Sequence, residues 1–361
     1  MNLDIRWTEA ERLASIELSL LRKLMARAPQ NTINLALGEL GFKFPQVLAD
    51  KAIELMQNGQ PRYSPNAGVD VLRERIAQDY SASVENICVC NGAEEALYTT
   101  IHSLVNPGDR IAIPDPDYPA YPVLAKLAGA EVIRLPFEQD LCSIDWDLWE
   151  KKLQGVKAIL MSSPSNPSGY CLNRGDAQQL NETLNNLGIT LILDEIYREI
   201  YIQQPDKIDY SMFDRLIRIG GVSKSHLMSG WRIGWLFASK PFITSAIKLK
   251  QYISTCPAWL SQYLALYALD CPHISLSVRD RMNQNHALVK NALSHKRMHI
   301  PTATPYILIH CDEADKQVET WLQKGLLSSP GKAYGFVTKD WIRLNYAVEK
   351  ETLERAIRIL L

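Results

Sequence analysis

Short, almost uninterrupted apolar runs alternate with amphipathic stretches through the middle of the chain. The apolar runs lie at 87–90, 110–113, 131–135, 158–161, 190–193, 216–219 and 234–238. Stretches whose apolar positions recur at helical spacing lie at 46–58, 68–80, 94–104, 120–127, 146–153 and 176–186. Strands this apolar are buried on both faces, and their alternation with helices is typical of a parallel sheet covered by helices. The pattern predicts an α/β fold whose large domain, residues 45–274, has a mostly parallel sheet flanked by helices.

The pattern changes toward both ends of the chain. After residue 274 the sequence predicts helices at 275–294 and 315–324, strands at 306–310 and 341–345, and a last helix that closes the chain. Near the start, apolar residues recur at helical spacing from Leu13 to Leu24, which predicts one helix over 8–28 that ends at Pro29. We interpret residues 1–44 and 275–361 as a smaller α+β domain, with the N-terminal helix packed against it.

Composition narrows the class of protein. The 361 residues suit one large and one smaller domain, and 39 basic residues against 40 acidic ones give a net charge of -1. This balance argues against nucleic-acid and anionic-membrane partners and favours small-molecule ligands. No apolar run reaches the roughly eighteen residues of a membrane span, and the first residues lack an apolar signal core. The seven cysteines include no CxxC pair, so we expect reduced thiols, no metal and a cytoplasmic location.

The segment from Ser223 to Gly234 carries the strongest chemical signal. Lys224 follows a buried apolar run, and Arg232 follows Lys224 by eight residues. Burial and nearby cations lower the pKa of a lysine, and a neutral amine can form a Schiff base. An arginine offers a planar fork for a phosphate group. The alternative is a surface lysine with an arginine at the rim of the core, and taken alone this segment leaves the two readings about equal.

A second signal is an acidic residue at the end of an apolar strand. Asp194 directly follows the apolar run 190–193, where an unpaired carboxylate is costly. A protonated ring nitrogen of a cofactor is a natural partner for it. Tyr197, three residues on, could reach an oxygen of the same group. The alternative, favoured when Asp194 is taken alone, is a cap of the next helix.

Two further segments have the form of ligand-binding turns. Asn166 lies between two prolines in 162–169, where its amide could donate to a ligand oxygen, although an ordinary turn has the same composition. Gly92 lies in 90–97, where a strand gives way to a helix whose free N–H groups could bind phosphate. Many α/β proteins have such a turn, so the second segment is weak by itself.

Taken together and in this order, the four segments resemble the class I/II aminotransferases of pyridoxal-5′-phosphate (PLP) fold type I, over nearly the whole chain. The resemblance implies that PLP is bound to Lys224 as a Schiff base and that an amino group passes between an L-amino acid and a 2-keto acid. It implies Lys224, Asp194 and Tyr197 as catalytic residues. The implied cofactor-binding residues are Gly92, Ala93, Glu94, Tyr118, Asn166, Asp194, Tyr197, Ser223, Lys224, Arg232 and Tyr63. The implied substrate-binding residues are Gly38, Asn166 and Arg343.

Several of these assignments follow only from the resemblance. Tyr118 matches an aromatic residue that stacks on the cofactor ring, and Tyr63 matches one that reaches the phosphate of the neighbouring subunit, which implies a homodimer. Arg343 matches the arginine that holds the substrate α-carboxylate, and Gly38 matches a backbone contact to that carboxylate. The segment 329–331 resembles a loop that moves when the site closes.

Three positions qualify the resemblance. Gly221 stands where the family commonly has a serine or threonine near the phosphate. Loss of that hydroxyl donor should cost about 1 kcal/mol of cofactor affinity. The segment 38–42 only partly resembles the family, which leaves the substrate open. Some aspartate-specific members place a cation near the position of Glu94, so a glutamate there would repel an acidic side chain. The alternative, which we favour slightly, is that Glu94 complements the helix N-terminus, worth about 0.3–1 kcal/mol.

Other functions share this fold and stay open at this point. A β-lyase, a decarboxylase or an oxidase of amino acids could use the same cofactor, and fold alone does not separate them. A decarboxylase is less favoured, because Arg343 would hold the carboxylate rather than release it. A PLP-binding module of a transcription regulator would need a DNA-binding domain, for which the first 30 residues are too few.

Overall fold

A computed structural model describes residues 8–361 of the chain. The strands are β1 (Ile33–Asn34), β2 (Ile87–Cys90), β3 (Arg110–Asp115), β4 (Glu131–Pro136), β5 (Ala158–Ser162), β6 (Thr190–Asp194), β7 (Leu216–Gly221), β8 (Gly234–Phe237), β9 (Met298–His299), β10 (Tyr306–His310), β11 (Leu326–Leu327), β12 (Ser329–Pro330) and β13 (Trp341–Asn345). The helices are α1 (Glu11–Ala14), α2 (Leu20–Arg27), α3 (Gln46–Asn58), α4 (Asp70–Asp79), α5 (Ala93–Leu104), α6 (Ala120–Leu127), α7 (Trp146–Leu153), α8 (Arg174–Leu187), α9 (Lys240–Ile253), α10 (Trp259–Leu269), α11 (Pro272–Ala292), α12 (Ala314–Gln323) and α13 (Lys350–Leu360).

The main sheet has seven strands in the order β2-β8-β7-β6-β5-β3-β4. Neighbouring strands from β7 to β4 are parallel, and β8 runs antiparallel to both β7 and β2. The prediction of an α/β fold with a mostly parallel sheet is confirmed. The chain passes from β3 to β4 on one side and later returns to β5 on the other, so its direction of travel across the sheet reverses beside β3. Ligands of such sheets bind beyond the carboxyl ends of the strands at a reversal of this kind.

Side chains of the central strands point alternately into two apolar layers. Leu160 and Ile192 pack in one cluster with α5, and Ile159 and Leu191 pack in another with α7 and α8. This burial on both faces explains why the strands read as continuous apolar runs. Helix α8 has ordinary sequence signals at its ends: the Asn173 side chain accepts a hydrogen bond from the amide of Asp176, and Gly188 closes the helix in the left-handed conformation.

The C-terminal part of the chain builds a second layer. Strands β12, β13, β10 and β9 form an antiparallel sheet, and β1 pairs in parallel with β11. Leu24 of α2 packs in the same apolar cluster as Val289 and Ile342, so the N-terminal helix does lie against this layer. The division into domains of residues 45–274 and of residues 1–44 with 275–361 stays a prediction.

The single helix predicted over 8–28 is wrong in its extent. The chain forms α1 and α2 instead, separated by residues 15–19. The reason is a local cap: the Ser19 hydroxyl accepts a hydrogen bond from the Arg22 amide, which starts a new helix at Leu20. The first seven residues, where the sequence showed no signal core, lie outside the described residues. Among residues 8–361 no helix is long and apolar enough to span a membrane.

Candidate active site

Loops that follow four parallel strands meet the start of α5 around one cleft of about 810 Å³. The strands are β3, β5, β6 and β7, whose carboxyl ends share one edge of the sheet. Predicted residues that line the cleft are Gly38, Ala93, Glu94, Tyr118, Asn166, Asp194, Tyr197, Ser223, Lys224, Arg232 and Arg343. The structure therefore brings together residues that are up to about three hundred positions apart in the sequence.

Lys224 points into this cleft from the turn after β7. Its Nζ donates a hydrogen bond to the carbonyl oxygen of Gly38 at 2.8 Å. Burial and the nearby guanidinium of Arg343 lower the pKa of Lys224 to about 8. A larger fraction of this amine is therefore neutral near pH 7 than for a lysine in water, which suits a nucleophile or a base.

Gly38 and Tyr197 both lie close to the Lys224 amine. The Tyr197 hydroxyl is 2.6 Å from the hydroxyl of Tyr306, and both side chains are buried. A Cβ atom at Gly38 would lie 2.7 Å from the Tyr306 hydroxyl, so only glycine allows this close approach. Tyr306 lines the cleft and was not predicted from the sequence.

Asp194 is a buried carboxylate with two hydrogen-bond donors. The Tyr121 hydroxyl donates to Oδ2 at 2.8 Å, and the Ile196 amide donates to Oδ1 at 3.0 Å. Burial raises the pKa of Asp194 to about 6, and the two donors act against this rise. The bond to Ile196 is a local turn, and no helix follows that Asp194 could cap. The sequence did not predict the role of Tyr121, although it lies only three residues after Tyr118.

The start of α5 and Arg232 form a cradle for an anion. Gly92 precedes the helix with a φ of 86° and no side-chain cap, so the first amides face the cleft beside the guanidinium of Arg232. A Cβ atom at Gly92 would collide with the Arg232 Nη2 atom. The Arg232 Nη1 atom donates to the Ser229 carbonyl at 2.9 Å, which fixes its orientation. A helix N-terminus and an arginine side by side favour phosphate.

Arg343 is a fully buried cation, only 2% exposed. Its Nη1 atom donates to Asn166 Oδ1 at 2.8 Å, and Nη2 donates to the carbonyl of Ala36. The guanidinium lies over the ring of Tyr306 at 4.0 Å and that of Tyr334 at 4.8 Å. Its Nε atom is buried without a partner, and no carboxylate of residues 8–361 pairs with the guanidinium. A buried cation left in this state favours an anionic ligand.

Asn166 is held in place from both sides. Its Oδ1 atom accepts from Arg343, which leaves the Nδ2 donor for a ligand oxygen. The backbone N–H of Asn166 donates to the Ser162 hydroxyl at 3.3 Å, and this hydroxyl donates to Asp117 Oδ1 at 2.6 Å. The prediction that Asn166 lies on a rigid turn within the site agrees with this network.

Tyr118 and Glu94 are neighbours in the lining of the cleft. The Tyr118 hydroxyl donates to Glu94 Oε2 at 3.4 Å, and the Tyr118 ring meets the Tyr121 ring edge-on with 5.4 Å between centroids. Glu94 remains accessible from the cleft, and the surrounding protein raises its pKa by desolvation. It therefore belongs to the lining of the cleft and does not simply point into bulk solvent.

Two predicted positions stand apart from the cleft. Tyr63 is 90% exposed and does not line the cleft of its own chain. Gly221 has little room for a side chain, because a Cβ atom there would lie 3.0 Å from both Ile196 Cδ1 and the Ile233 carbonyl oxygen. A serine at residue 221 would need its neighbours to move, which explains glycine at this position of this chain.

A second cavity, of about 880 Å³, contains none of the predicted residues. Its arginines are already neutralised: Arg198 pairs with Asp79 at 3.1 Å, and Arg218 pairs with Glu195 at 2.7 Å. The cleft around Lys224, with its free cations and uncapped helix, is the better candidate for an active site.

Known proteins resemble this chain over nearly its whole length. The model of the family described as aminotransferase class I and II matches residues 30–360. A probable aspartate aminotransferase of Methanocaldococcus jannaschii is 30% identical over 370 residues, which cover 97% of this chain and 98% of that protein. The aromatic-amino-acid aminotransferase 2 of Thermococcus litoralis is 26% identical, with 96% of each chain covered. The solved aspartate aminotransferase of Thermotoga maritima matches with a TM-score of 0.90, 26% identity and 98% of each chain covered.

Proposed function

Since this chain belongs to the class I and II aminotransferase family, and is therefore a PLP-dependent enzyme that moves an amino group between an amino acid and a 2-keto acid, we propose that the cleft around Lys224 is its active site. The aminotransferase activity predicted from the four motifs is confirmed. The β-lyase, decarboxylase and oxidase alternatives gain no support from these relatives.

The residues of the cleft fit PLP. The uncapped start of α5 and Arg232, with Ser223 beside them, would hold the phosphate. Because Gly92 has no side chain, the Arg232 guanidinium can lie next to the start of the helix. The buried carboxylate of Asp194 would meet the ring nitrogen. The Tyr118 ring would contact the face of the cofactor, Asn166 and Tyr197 would donate to its phenolic oxygen, and Lys224 would attach to its aldehyde carbon.

The chain's own groups then divide the work. When bound, PLP supplies a ring that accepts electron density from the amino acid Cα. Lys224 removes the proton from Cα and later returns a proton, a task for which a pKa near 8 is suited. Asp194 keeps a proton on the ring nitrogen. The Gly38 carbonyl holds the Lys224 amine in the cleft by accepting its hydrogen bond.

The buried and unpaired state of Arg343 carries the proposal for the substrate. A guanidinium between two tyrosine rings, with Nε free of partners, offers the planar fork that a carboxylate matches with two parallel hydrogen bonds. Asn166 orients this fork through Nη1. We place the α-carboxylate of the amino acid, and that of the keto acid, on Arg343.

The lining of the cleft around Glu94 favours neutral or basic side chains. Besides Glu94, apolar residues line the cleft: Leu18, Leu21, Leu37, Leu97, Val123 and Leu124. An acidic side chain would meet the Glu94 carboxylate without gaining a cation from α5, whereas an aromatic or aliphatic one would bury apolar surface. The relatives are named for aspartate and for aromatic amino acids, so both substrate classes occur among them.

Phenylalanine, methionine and arginine are therefore expected to be better amino donors than aspartate, by about tenfold in kcat/KM. Steady-state assays with a fixed keto acid measure this, and phenethylamine, which lacks the α-carboxylate, should not serve as a donor. The Glu94→Gln variant keeps the size of the side chain and removes its charge, so it should narrow the gap for aspartate. If aspartate is the best of the four donors, Glu94 does not exclude acidic substrates.

We also propose that the enzyme is a homodimer with shared sites. Tyr63 points away from its own cleft, yet its loop is fixed: the Ser64 hydroxyl donates to the Pro257 carbonyl at 3.1 Å, and Asn66 donates to that of Thr255 at 2.8 Å. An exposed tyrosine on a fixed loop is suited to contact a second copy of the chain. Its hydroxyl would reach the phosphate in the other subunit.

Mixing two inactive variants tests this arrangement. Lys224→Ala and Tyr63→Phe subunits should recover about one quarter of the wild-type activity after exchange, because half of the dimers then contain one intact site. A mixture of Lys224→Ala with Asp194→Ala is the control and should stay inactive, since both residues belong to the same chain's cleft. No recovery in the first mixture, with subunit exchange confirmed by mass, would contradict shared sites.

We further expect the enzyme to work in the cytoplasm without a nucleic-acid partner. A net charge of -1 offers no basic surface of the kind that binds nucleic acid. The seven cysteines are all free thiols in the structure, and a reducing compartment keeps such thiols reduced.

A further inference from the structure

Asp115 joins the main sheet to the C-terminal layer at the edge of the active site. It is the last residue of β3 and is buried. We call residues 331–337 the Tyr334 loop. The Asp115 carboxylate accepts hydrogen bonds from two backbone amides of this loop: Phe336 donates to Oδ2 at 3.1 Å, and Val337 donates to Oδ1 at 3.2 Å. Asp115 lies three residues before Tyr118, but neither the cofactor nor the substrate assignments use it.

Two further groups of the main sheet hold the same loop. The Arg134 Nη2 atom, from β4, donates to the Tyr334 carbonyl at 3.0 Å, and the amide of Asp117 donates to it at 3.1 Å. The Arg134 Nε atom lies 3.6 Å from Asp115 Oδ2, so the two side chains also pair with each other. Donors and acceptors on both sides are thus matched, which buried polar groups require.

The loop approaches Asp115 as closely as its backbone allows. A Cβ atom at Gly335 would collide with the Asp115 carboxylate and would lie 3.0 Å from Arg134 Nη2. Gly335 therefore permits the contact by lacking a side chain. We call this set of contacts, made by Asp115, Arg134 and Gly335, the latch.

The latch determines where the Tyr334 ring lies. The ring is buried, lines the cleft, and stands 4.8 Å from the guanidinium of Arg343, while its hydroxyl is 2.9 Å from that of Ser329. The next residues along the loop are fastened to Asp115, so release of the latch would free the ring from the face of Arg343. The same guanidinium also lies over the Tyr306 ring, 4.0 Å from its centre.

We propose that Asp115 and Arg134 are positioning residues, which fasten the Tyr334 loop to the main sheet and so keep Tyr334 against Arg343 in the form that binds the substrate carboxylate. This inference rests on the proposed role of Arg343. The carboxylate is bound in the same way before and during the chemical step, so the latch acts on substrate affinity more than on turnover.

The test compares two latch variants with a matched ion pair at the other end of the same two strands. Asp115→Asn and Arg134→Gln weaken the latch from either side. The control is Glu131→Gln, whose partner Arg110 also lies 3.6 Å away, across β3 and β4. Backbone amide exchange of residues 331–340 is measured by mass spectrometry, and KM and kcat are measured for the best amino donor.

Both latch variants should exchange faster than wild type over residues 331–340, because the Phe336 and Val337 amides lose protection. KM should rise about tenfold, equivalent to about 1.4 kcal/mol, while kcat changes by less than about threefold. The control should show neither effect. Two variants on different strands guard against the failure of one of them to fold.

Unchanged exchange in both folded variants overturns the latch, and faster exchange with an unchanged KM overturns its role in positioning Tyr334. An equal rise of KM in Glu131→Gln also counts against it. Arg343→Lys, assayed in parallel, separates the two levels of the proposal, because lysine lacks the bidentate fork. If its KM is unchanged, the carboxylate assignment and the second half of this inference are wrong, and the exchange data still decide whether Asp115 fastens the loop.

Discussion

Replacing Lys224 with alanine is expected to reduce turnover by at least about a thousandfold, since the general base and the covalent attachment of the cofactor are lost together. The described lining of the cleft offers no second amine for the cofactor: its other cations are guanidiniums, which stay protonated. The Gly38 carbonyl would lose its donor, a modest effect on stability compared with the loss of chemistry.

Two measurements check this. Steady-state assays give turnover, and borohydride reduction followed by peptide mass spectrometry shows whether the cofactor is attached at residue 224. Lys240→Ala is the control, because Lys240 is exposed and pairs only with Glu85. Activity near the wild-type level in folded Lys224→Ala would remove Lys224 from the mechanism.

The second large effect is expected at Asp194. The Asp194→Asn side chain keeps the shape of the carboxylate and can still meet Tyr121, but it carries no charge to hold a proton on the cofactor ring nitrogen. Cofactor should still bind through the α5 cradle and Arg232. Removal of the Cα proton should slow by at least about a hundredfold.

Single-turnover kinetics with Cα-deuterated amino acid isolate the proton-removal step. A graded control is Tyr121→Phe, which keeps the carboxylate and removes one of its two donors; its effect should have the same direction and a smaller size. An unchanged rate of proton removal in Asp194→Asn would show that this carboxylate does not govern the electronics of the ring.

Local patterns predicted the elements that are amphipathic on their own. Helices α6 and α7 begin and end at the predicted residues, 120–127 and 146–153, because each buries one face against the sheet. No element was predicted between 239 and 274, where the structure has α9 and α10. Helix α10 packs against both α3 and α4 and is apolar on nearly all sides, so its sequence shows no helical stripe.

The residues of the candidate site also fall into two groups, those with a local sequence signal and those without one. Asp194 ends β6, and Lys224 and Asn166 lie in the turns that follow β7 and β5, so their motifs are local and the sequence shows them. Tyr306 and Tyr334 have no such motif: Tyr306 reaches the cleft because β10 is in register with β13, and Tyr334 reaches it because Asp115 holds its loop. Long-range register and loop docking depend on tertiary packing, which short patterns do not encode.

The contacts of residues 35 and 36 with β13 have a consequence for the order in which the protein matures. Arg343 meets the Ala36 carbonyl across 307 positions of sequence, and the Asn345 amide donates to Leu35 at 2.7 Å. All strands of the main sheet have been synthesised once Phe237 has been added, whereas the segment around Ala36 must wait for nearly the whole chain. The proposed cofactor cradle can thus form before the proposed carboxylate site around Arg343, which needs the C-terminal strands.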